Sequence, residues 1–320
     1  RLANLKRGLS PDDPILVRLR GAITSSAATI NDRASLGFAL GRALDALGAY
    51  EEAFAAYQTA NRDRRASAAA LVYDRAGHEA FVSALTSAFG VRSGIDKAPP
   101  GAPNPPVFIC GMFRSGSTLI EQVLAAHRGV TPGGELSLLP RLVKKELSPF
   151  PTSMQKQADE RLRALAADYL RNLKGLFPGA KMITDKRPDN YLYIGLIKRL
   201  FPTAKIIHTV REPLDNCLSI YFLHLDHEMS YALDLMDTGH YYRQYRRLMA
   251  HWKSLYAADI FDFDYDAFVI NPRDNLERLL AFLDLPWDEA CLSFQNARNA
   301  VKTASVWQVR EPLYTRSSGR

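Results

Sequence analysis

Hydrophobic patterning divides the chain into two textures. From residue 12 to 90, apolar positions recur at helical spacing in segments rich in Ala, Leu and Arg, with almost no β-branched clusters. This part reads as helical. Within it, "ASLGFALGRALDALGAYEEAFAAYQTANRDRR" stops at Gly48 and restarts at Tyr50, which predicts two helices joined by a tight turn. After a Pro- and Gly-rich stretch, "VRSGIDKAPPGAPNPP" (91 to 106), short apolar runs alternate with amphipathic ones. "PVFIC" precedes "TLIEQVLAAH", "KMIT" precedes "NYLYIGLIKRLF", and "KIIHTV" precedes "PLDNCLSIYFLHL". Strand followed by helix, repeated, predicts a parallel α/β sheet, because parallel neighbours need a crossover connection. Functional groups then belong at the carboxyl ends of the strands. The expected boundaries are a helical domain over 1–92, a linker over 93–106 and an α/β domain over 107–320.

The helical pair carries a repeat pattern. Leu40-Gly41, Ala53, Tyr57 and Ala60 put small residues and an aromatic where a tetratricopeptide hairpin needs them. No second copy follows, so a lone unit has to lean on neighbouring helices or on repeats before residue 1; a generic helical hairpin is the plainer alternative.

Composition narrows the ligands. A net charge of +7 with pI near 9.3 favours anionic partners, but 41 basic and 34 acidic residues are well mixed, without a Lys/Arg block. Three cysteines without C-x-x-C spacing argue against a disulfide framework or a zinc site, and suggest a cytoplasmic protein. No apolar run reaches the roughly 18 residues of a membrane span. The chain begins without Met, which leaves an upstream anchor or targeting segment open.

"CGMFRSGSTLI" (110 to 120) fits G-x-x-x-x-G followed by Ser117 and Thr118, a phosphate-loop pattern with Ser in place of the lysine. Gly111 and Gly116 permit the tight turn, so that N–H groups of residues 114 to 118 converge on an anion at a helix N-terminus. Arg114 supplies a cationic fork within the loop. A Mg-ATP enzyme would also want an acid closing an apolar strand; Asp185 is the better candidate, with Lys186 directly after it, and "ADIFDFDYD" offers the half-exposed alternative.

"FRSGSTLIEQVLAAH", "GGE" and "TDKRPDNYLYIGLIKRLFPTAKIIHTVREPLDNCLSIYF" together resemble the sulfotransferases that use 3′-phosphoadenosine 5′-phosphosulfate (PAPS). The chain looks most like their bacterial tetratricopeptide-linked branch and the tyrosylprotein sulfotransferases, over residues 107 to 316. The resemblance implies a P-loop-type three-layer domain with a central parallel sheet. It also implies that Arg114, Ser115, Gly116, Ser117 and Thr118 cradle the 5′-phosphosulfate. Arg211 and Ser219, eight residues apart, correspond to the 3′-phosphate ligands. Glu135 corresponds to the general base, 21 residues after Arg114. Lys186 falls at an active-site lysine in a motif that here reads Asp185-Lys186-Arg187-Pro188, so Arg187 competes for the leaving-group role. Tyr265 aligns with a nucleotide-contacting aromatic, and Ser305 lies in the segment that closes over the donor. Relatives place an arginine where this chain has Ser137, which leaves acidic tyrosine-peptide recognition open.

The expected reaction is metal-independent, in-line sulfuryl transfer from PAPS to an acceptor hydroxyl of a peptide tyrosine, glycan or small molecule, leaving 3′,5′-diphosphoadenosine. The helical domain would recruit a protein acceptor or dimerise. A Mg-ATP phosphotransferase and a non-catalytic scaffold are the alternatives. His127 and His208 read as packing or hydrogen-bonded residues, and His224 as a reserve base; His224 and His227 lack a third ligand for a metal. "YYRQYRRLMAHW" (241 to 252) reads as a helix with its aromatic side on the core rather than as a nucleic-acid surface.

Overall fold

The computed structural model describes residues 10–67, 72–91, 104–225 and 229–296. The chain forms two compact units, residues 1–77 with 217–243 and residues 78–216 with 244–320. Packing thus groups residues 78–91 with the sheet and 217–243 with the N-terminal helices, whereas the sequence suggests one cut at 93–106. Most of that expected linker lies outside the described residues.

The first unit is helical. α1 (Pro14–Thr24) starts with Pro at its first position and an Asp13 carboxylate that accepts the Ile15 N–H at 3.0 Å. α2 (Ile30–Ala46) opens on a Thr29/Asp32 capping box and ends before Gly48, which adopts φ 77°. α3 (Tyr50–Ala66) carries Glu51 and Glu52 in its first turn and Arg64 and Arg65 in its last, each sign matched to the helix dipole. α2 and α3 pack closely: a Cβ on Gly41 would lie 2.7 Å from the Tyr57 ring, and one on Gly37 would lie 2.9 Å from the Ala60 methyl. Gly41, Tyr57 and Ala60 are among the residues that the sequence pattern puts at a helix crossing, and Gly37 adds a further close contact. Leu16, Phe38, Leu44, Ala53 and Tyr57 form the core, joined by Tyr221.

The second unit is built on five parallel strands: β1 (Val107–Gly111), β2 (Val130–Thr131), β3 (Met182–Lys186), β4 (Ile206–Val210) and β5 (Ile260–Asp264). Their spatial order is β2-β3-β1-β4-β5. Side chains alternate across the sheet. On one face, Val107, Ile109 and Ile207 pack with Leu119, Ile120 and Val123 of α5 (Ser117–Ala125) and with Leu276, Leu279 and Leu280 of α12 (Pro272–Phe282). On the other, Phe108 meets Tyr169 of α7 (Asp159–Leu176) and Phe201 beyond α8 (Ile194–Leu200). The result is three layers, as the strand–helix alternation predicts. α4 (Arg75–Ala88), α6 (Leu138–Glu146), α9 (Pro213–Tyr221), α10 (Leu235–Tyr256) and α11 (Tyr265–Ile270) complete the described helices, together with shorter 3-10 turns.

The "YYRQYRRLMAHW" segment lies in α10. Tyr245, Leu248, Met249 and Trp252 are buried while Arg243, Arg246 and Arg247 are exposed, so its aromatic side does face the core. The sheet order reverses beside β1: the chain fills β2 and β3 on one side and then crosses to β4 and β5 on the other. In such sheets the crevice for a ligand opens at the carboxyl ends of the strands flanking the reversal.

Candidate active site

Three adjacent strands deliver the sequence-predicted residues to one edge. Ile109 of β1 is in register with Lys186 of β3, and Gly111 is in register with Thr209 of β4. The loop after β1, Lys186 ending β3 and Arg211 following β4 therefore sit side by side at the carboxyl end of the sheet.

The loop is held by its own polar groups. Arg114 adopts φ 70° and Gly116 φ 104°, the left-handed turns that wrap the backbone before α5 begins. Gly116 is required on a second count: a Cβ there would lie 2.8 Å from the Tyr265 ring. The Ser115 hydroxyl donates to the Met112 carbonyl at 2.6 Å and lies 2.6 Å from Thr209 Oγ1, which reaches the Cys110 carbonyl at 3.1 Å. Asn216 Nδ2 donates to the Phe113 carbonyl at 2.8 Å. Ser115 is thus engaged in shaping the loop through its side chain and through its N–H, which also donates to Met112 O at 3.1 Å. Ser117 and Thr118 start α5 and are largely buried.

Arg211 leans over this loop. Its Nη1 donates to the Arg114 carbonyl at 3.3 Å, and its guanidinium stands 5.1 Å from the centre of the Tyr265 ring. Tyr265 is the first residue of α11, directly after β5, so the sheet brings it to the loop, where its ring also packs against the core cluster that contains Phe263. Ser219 lies in α9, half-buried, in the part of the chain that belongs to the first unit. Ser305 lies outside the described residues.

Beside the loop, Lys186 and Glu135 form an ion pair. Lys186 Nζ donates to Glu135 Oε1 at 2.6 Å; the lysine side chain is 0% exposed and the glutamate 40%. Glu135 precedes α6 instead of opening it: Ser137 is the cap, and Glu135 sits on the Gly133-Gly134 turn. The neighbouring Asp185 points to the opposite face, as strand alternation requires. There it accepts bonds from the Tyr169 hydroxyl and from Asn190 Nδ2, and burial pushes its carboxyl up to about 6 against those bonds. Asp185 is therefore not the partner of Lys186. Arg187 instead forks onto Asp189 at 3.0 and 3.1 Å.

The structure adds residues that the sequence reading missed. Glu121, one turn into α5 and 3% exposed, accepts from Gly134 N–H at 2.9 Å and from the Thr184 hydroxyl at 2.7 Å. Its signal was a carboxylate among the apolar Leu119, Ile120, Val123 and Leu124 of the helix right after the loop. Thr184 and Thr209 gave no signal, because a threonine in a β-strand is ordinary. A cleft of about 560 Å³ opens next to Glu135, lined also by Ser137, Arg141, Arg171, Asn172 and Leu176.

A family model described as the sulfotransferase family matches residues 105–289, more than half of the chain. The chain belongs to the sulfotransferase family. The match spans all five strands, the loop, Glu135, Lys186 and Arg211. Among similar proteins, an uncharacterised protein of Aquifex aeolicus (strain VF5) is 33% identical, over 96% of this chain and 42% of that protein. The protein-tyrosine sulfotransferase of Drosophila melanogaster is 26% identical, over 63% of this chain and 43% of that protein. This sulfotransferase-family chain thus spans about half the length, or less, of these relatives. Among solved structures, the sulfotransferase domain of the Synechococcus PCC 7002 olefin synthase is 24% identical. It covers 69% of this chain and 89% of its own, with a TM-score of 0.48.

The histidines are placed by packing. His127 Nε2 meets the Pro286 carbonyl at 3.0 Å. His208 lies between Asp262, 2.7 Å from its Nδ1, and the Tyr245 hydroxyl, and burial lowers its proton affinity despite Asp262. His224 stacks on Phe38 in the first unit at 5.1 Å. His227 lies outside the described residues.

Proposed function

We propose that this chain transfers a sulfuryl group from PAPS to an acceptor hydroxyl. The observation that carries the reading is the adjacency of the β1 loop, the Lys186–Glu135 pair and Arg211 on three neighbouring strands. The residues fit the donor: a left-handed loop closed by Arg114 and Gly116 runs into a nine-residue helix, and Arg211 with Tyr265 flanks it on the β4 side.

When bound, PAPS supplies a sulfuryl group and departs as 3′,5′-diphosphoadenosine. Loop N–H groups, Arg114, Ser117 and Thr118 hold its 5′ end, and Arg211 holds its 3′-phosphate. Glu135 takes the proton of the acceptor hydroxyl while the acceptor oxygen bonds to sulfur and the sulfur–phosphate oxygen bond breaks. Lys186 and Arg114 neutralise charge on the departing oxygen, which makes a metal unnecessary. The ion pair links the two events: as Glu135 gains a proton it releases its hold on the Lys186 ammonium, and that charge becomes available to the leaving group.

The cleft beside Glu135 takes the acceptor. Leu176 and the stems of Arg141 and Arg171 suit a hydroxyl on an apolar body, peptide tyrosine included. The N-terminal helices, read as a tetratricopeptide-like unit, recruit a protein acceptor. Thermal-shift measurement with 3′,5′-diphosphoadenosine, AMP, ATP and Mg-ATP tests the donor assignment, since a bound ligand raises apparent stability by mass action. The largest shift is expected with 3′,5′-diphosphoadenosine; a larger one with Mg-ATP refutes the reading in favour of a phosphotransferase.

A further inference from the structure

Glu121 is a buried carboxylate that the reaction above does not use. Taking such a group out of water is costly unless it is paired, and a residue that merely filled α5 would be apolar there, like Leu119, Ile120 and Val123 around it. Its Oε1 instead gathers two donors from two other elements, the Thr184 hydroxyl of β3 at 2.7 Å and the Gly134 N–H at 2.9 Å. Two further bonds fix the same turn to β3: Gly133 N–H donates to Thr184 Oγ1 at 3.2 Å, and Lys186 N–H donates to the Gly134 carbonyl at 3.0 Å. The approach is so close that a Cβ on Gly133 would stand 2.1 Å from the Thr184 carbonyl. Glu135 is the next residue after this stitched turn.

We propose that Glu121 is a positioning residue, which with Thr184 locks the Gly133-Gly134 turn and so holds Glu135 on Lys186, tying the helix of the donor loop to the proton-accepting group. The role rests on the reading of Glu135 as the base. Charge supports the same arrangement. Burial pushes the Glu121 carboxyl up, while the nearby Lys186 ammonium and the two hydrogen bonds pull it down, and Glu135 adds a second negative charge. Lys186, fully buried, thus has a second carboxylate close by when Glu135 becomes protonated.

Two pairs of variants test this in the full chain: Glu121→Ala against Glu121→Gln, and Thr184→Val against Thr184→Ser. Gln and Ser keep the acceptor and the hydroxyl that stitch the turn; Ala and Val remove them. Should Glu121→Ala fold poorly, the near-isosteric Thr184 pair still decides. Hydrogen exchange of a peptide covering 130–138 is expected to speed up at least about tenfold in the Ala and Val variants and to stay close to wild type in the Gln and Ser variants. Turnover with PAPS and 4-nitrophenol is expected to fall about tenfold to a hundredfold in kcat for Ala and Val, the scale of a misplaced catalytic group. Gln and Ser should restore most of it, and Kd for 3′,5′-diphosphoadenosine should stay within about threefold throughout. Unchanged exchange in Glu121→Ala and Thr184→Val overturns the proposal, as does faster exchange with kcat intact or with a loss confined to Kd. A wild-type protein that transfers nothing, or a Glu135→Gln variant as active as wild type, overturns the reading of Glu135 as base. The exchange data then still report separately on whether Glu121 holds the turn.

Discussion

The Lys186–Glu135 pair sets a measurable coupling. Lys186 has no solvent-exposed side-chain surface and donates at 2.6 Å to a glutamate that is 40% exposed. An exposed pair contributes about 0–1 kcal/mol, and breaking a fully buried one costs about 3–5 kcal/mol. With one partner in each environment, and a hydrogen bond between charged groups contributing about 1.5–3 kcal/mol, we expect a coupling energy of about 1–3 kcal/mol. A double-mutant cycle of Glu135→Gln, Lys186→Met and the double variant isolates it. The single variants should differ in kind. Lys186→Met leaves a half-exposed carboxylate that water can solvate, whereas Glu135→Gln leaves a buried ammonium with the Glu121 carboxylate in its neighbourhood. Urea unfolding followed by tryptophan fluorescence is suited to the cycle, because Trp252 and Trp287 belong to the sheet-containing unit. A coupling below about 0.5 kcal/mol, the level of an exposed pair, would refute the claim that Glu135 compensates the buried lysine.

Other outcomes follow from the same geometry. Arg211→Ala should weaken binding of 3′,5′-diphosphoadenosine by at least about tenfold and binding of AMP far less, as calorimetry would read; equal losses would remove Arg211 from the 3′-phosphate site. Gly116→Ala meets both a left-handed backbone and the Tyr265 ring, and should abolish donor binding in the same assay while thermal unfolding still shows a folded chain. Asp185 has its folded value raised to about 6 from 3.8, so it binds its proton more tightly when folded. Its contribution to stability is complete below about 4 and is lost as pH rises through 6. Asp185→Asn should therefore gain on wild type by on the order of 3 kcal/mol between pH 4 and 7 in urea titrations, and a flat difference would contradict the assignment.

What the sequence disclosed followed from regular period and motif. Strands β1, β3 and β4 each open on a short apolar run and are followed by a helix, so their parallel pairing could be read directly, and the loop residues came with them. β2 could not be read: Val130 and Thr131 are two residues, too few to show a period, and only their pairing with Met182 and Ile183 makes them a strand. The partner of Lys186 was likewise hidden. Asp185 is adjacent in sequence, but alternation sends it to Tyr169 and Asn190, while Glu135, 51 residues away, arrives through the Gly133-Gly134 turn. Glu121 and Thr184 escaped notice for the same reason, since their roles exist only where three elements converge. Tyr265 continues the alternation of Phe261 and Phe263, which suits a strand residue, but β5 ends at Asp264.

The central claim is that one donor lies across the β3-β1-β4 edge with an anion at each end. Titration calorimetry of the wild-type chain with 3′,5′-diphosphoadenosine and with AMP tests it most directly. The account expects the diphosphate to bind at least about tenfold more tightly, a difference of about 1.4 kcal/mol for the added 3′-phosphate. Equal affinity for the two nucleotides, or no binding of either, would contradict it.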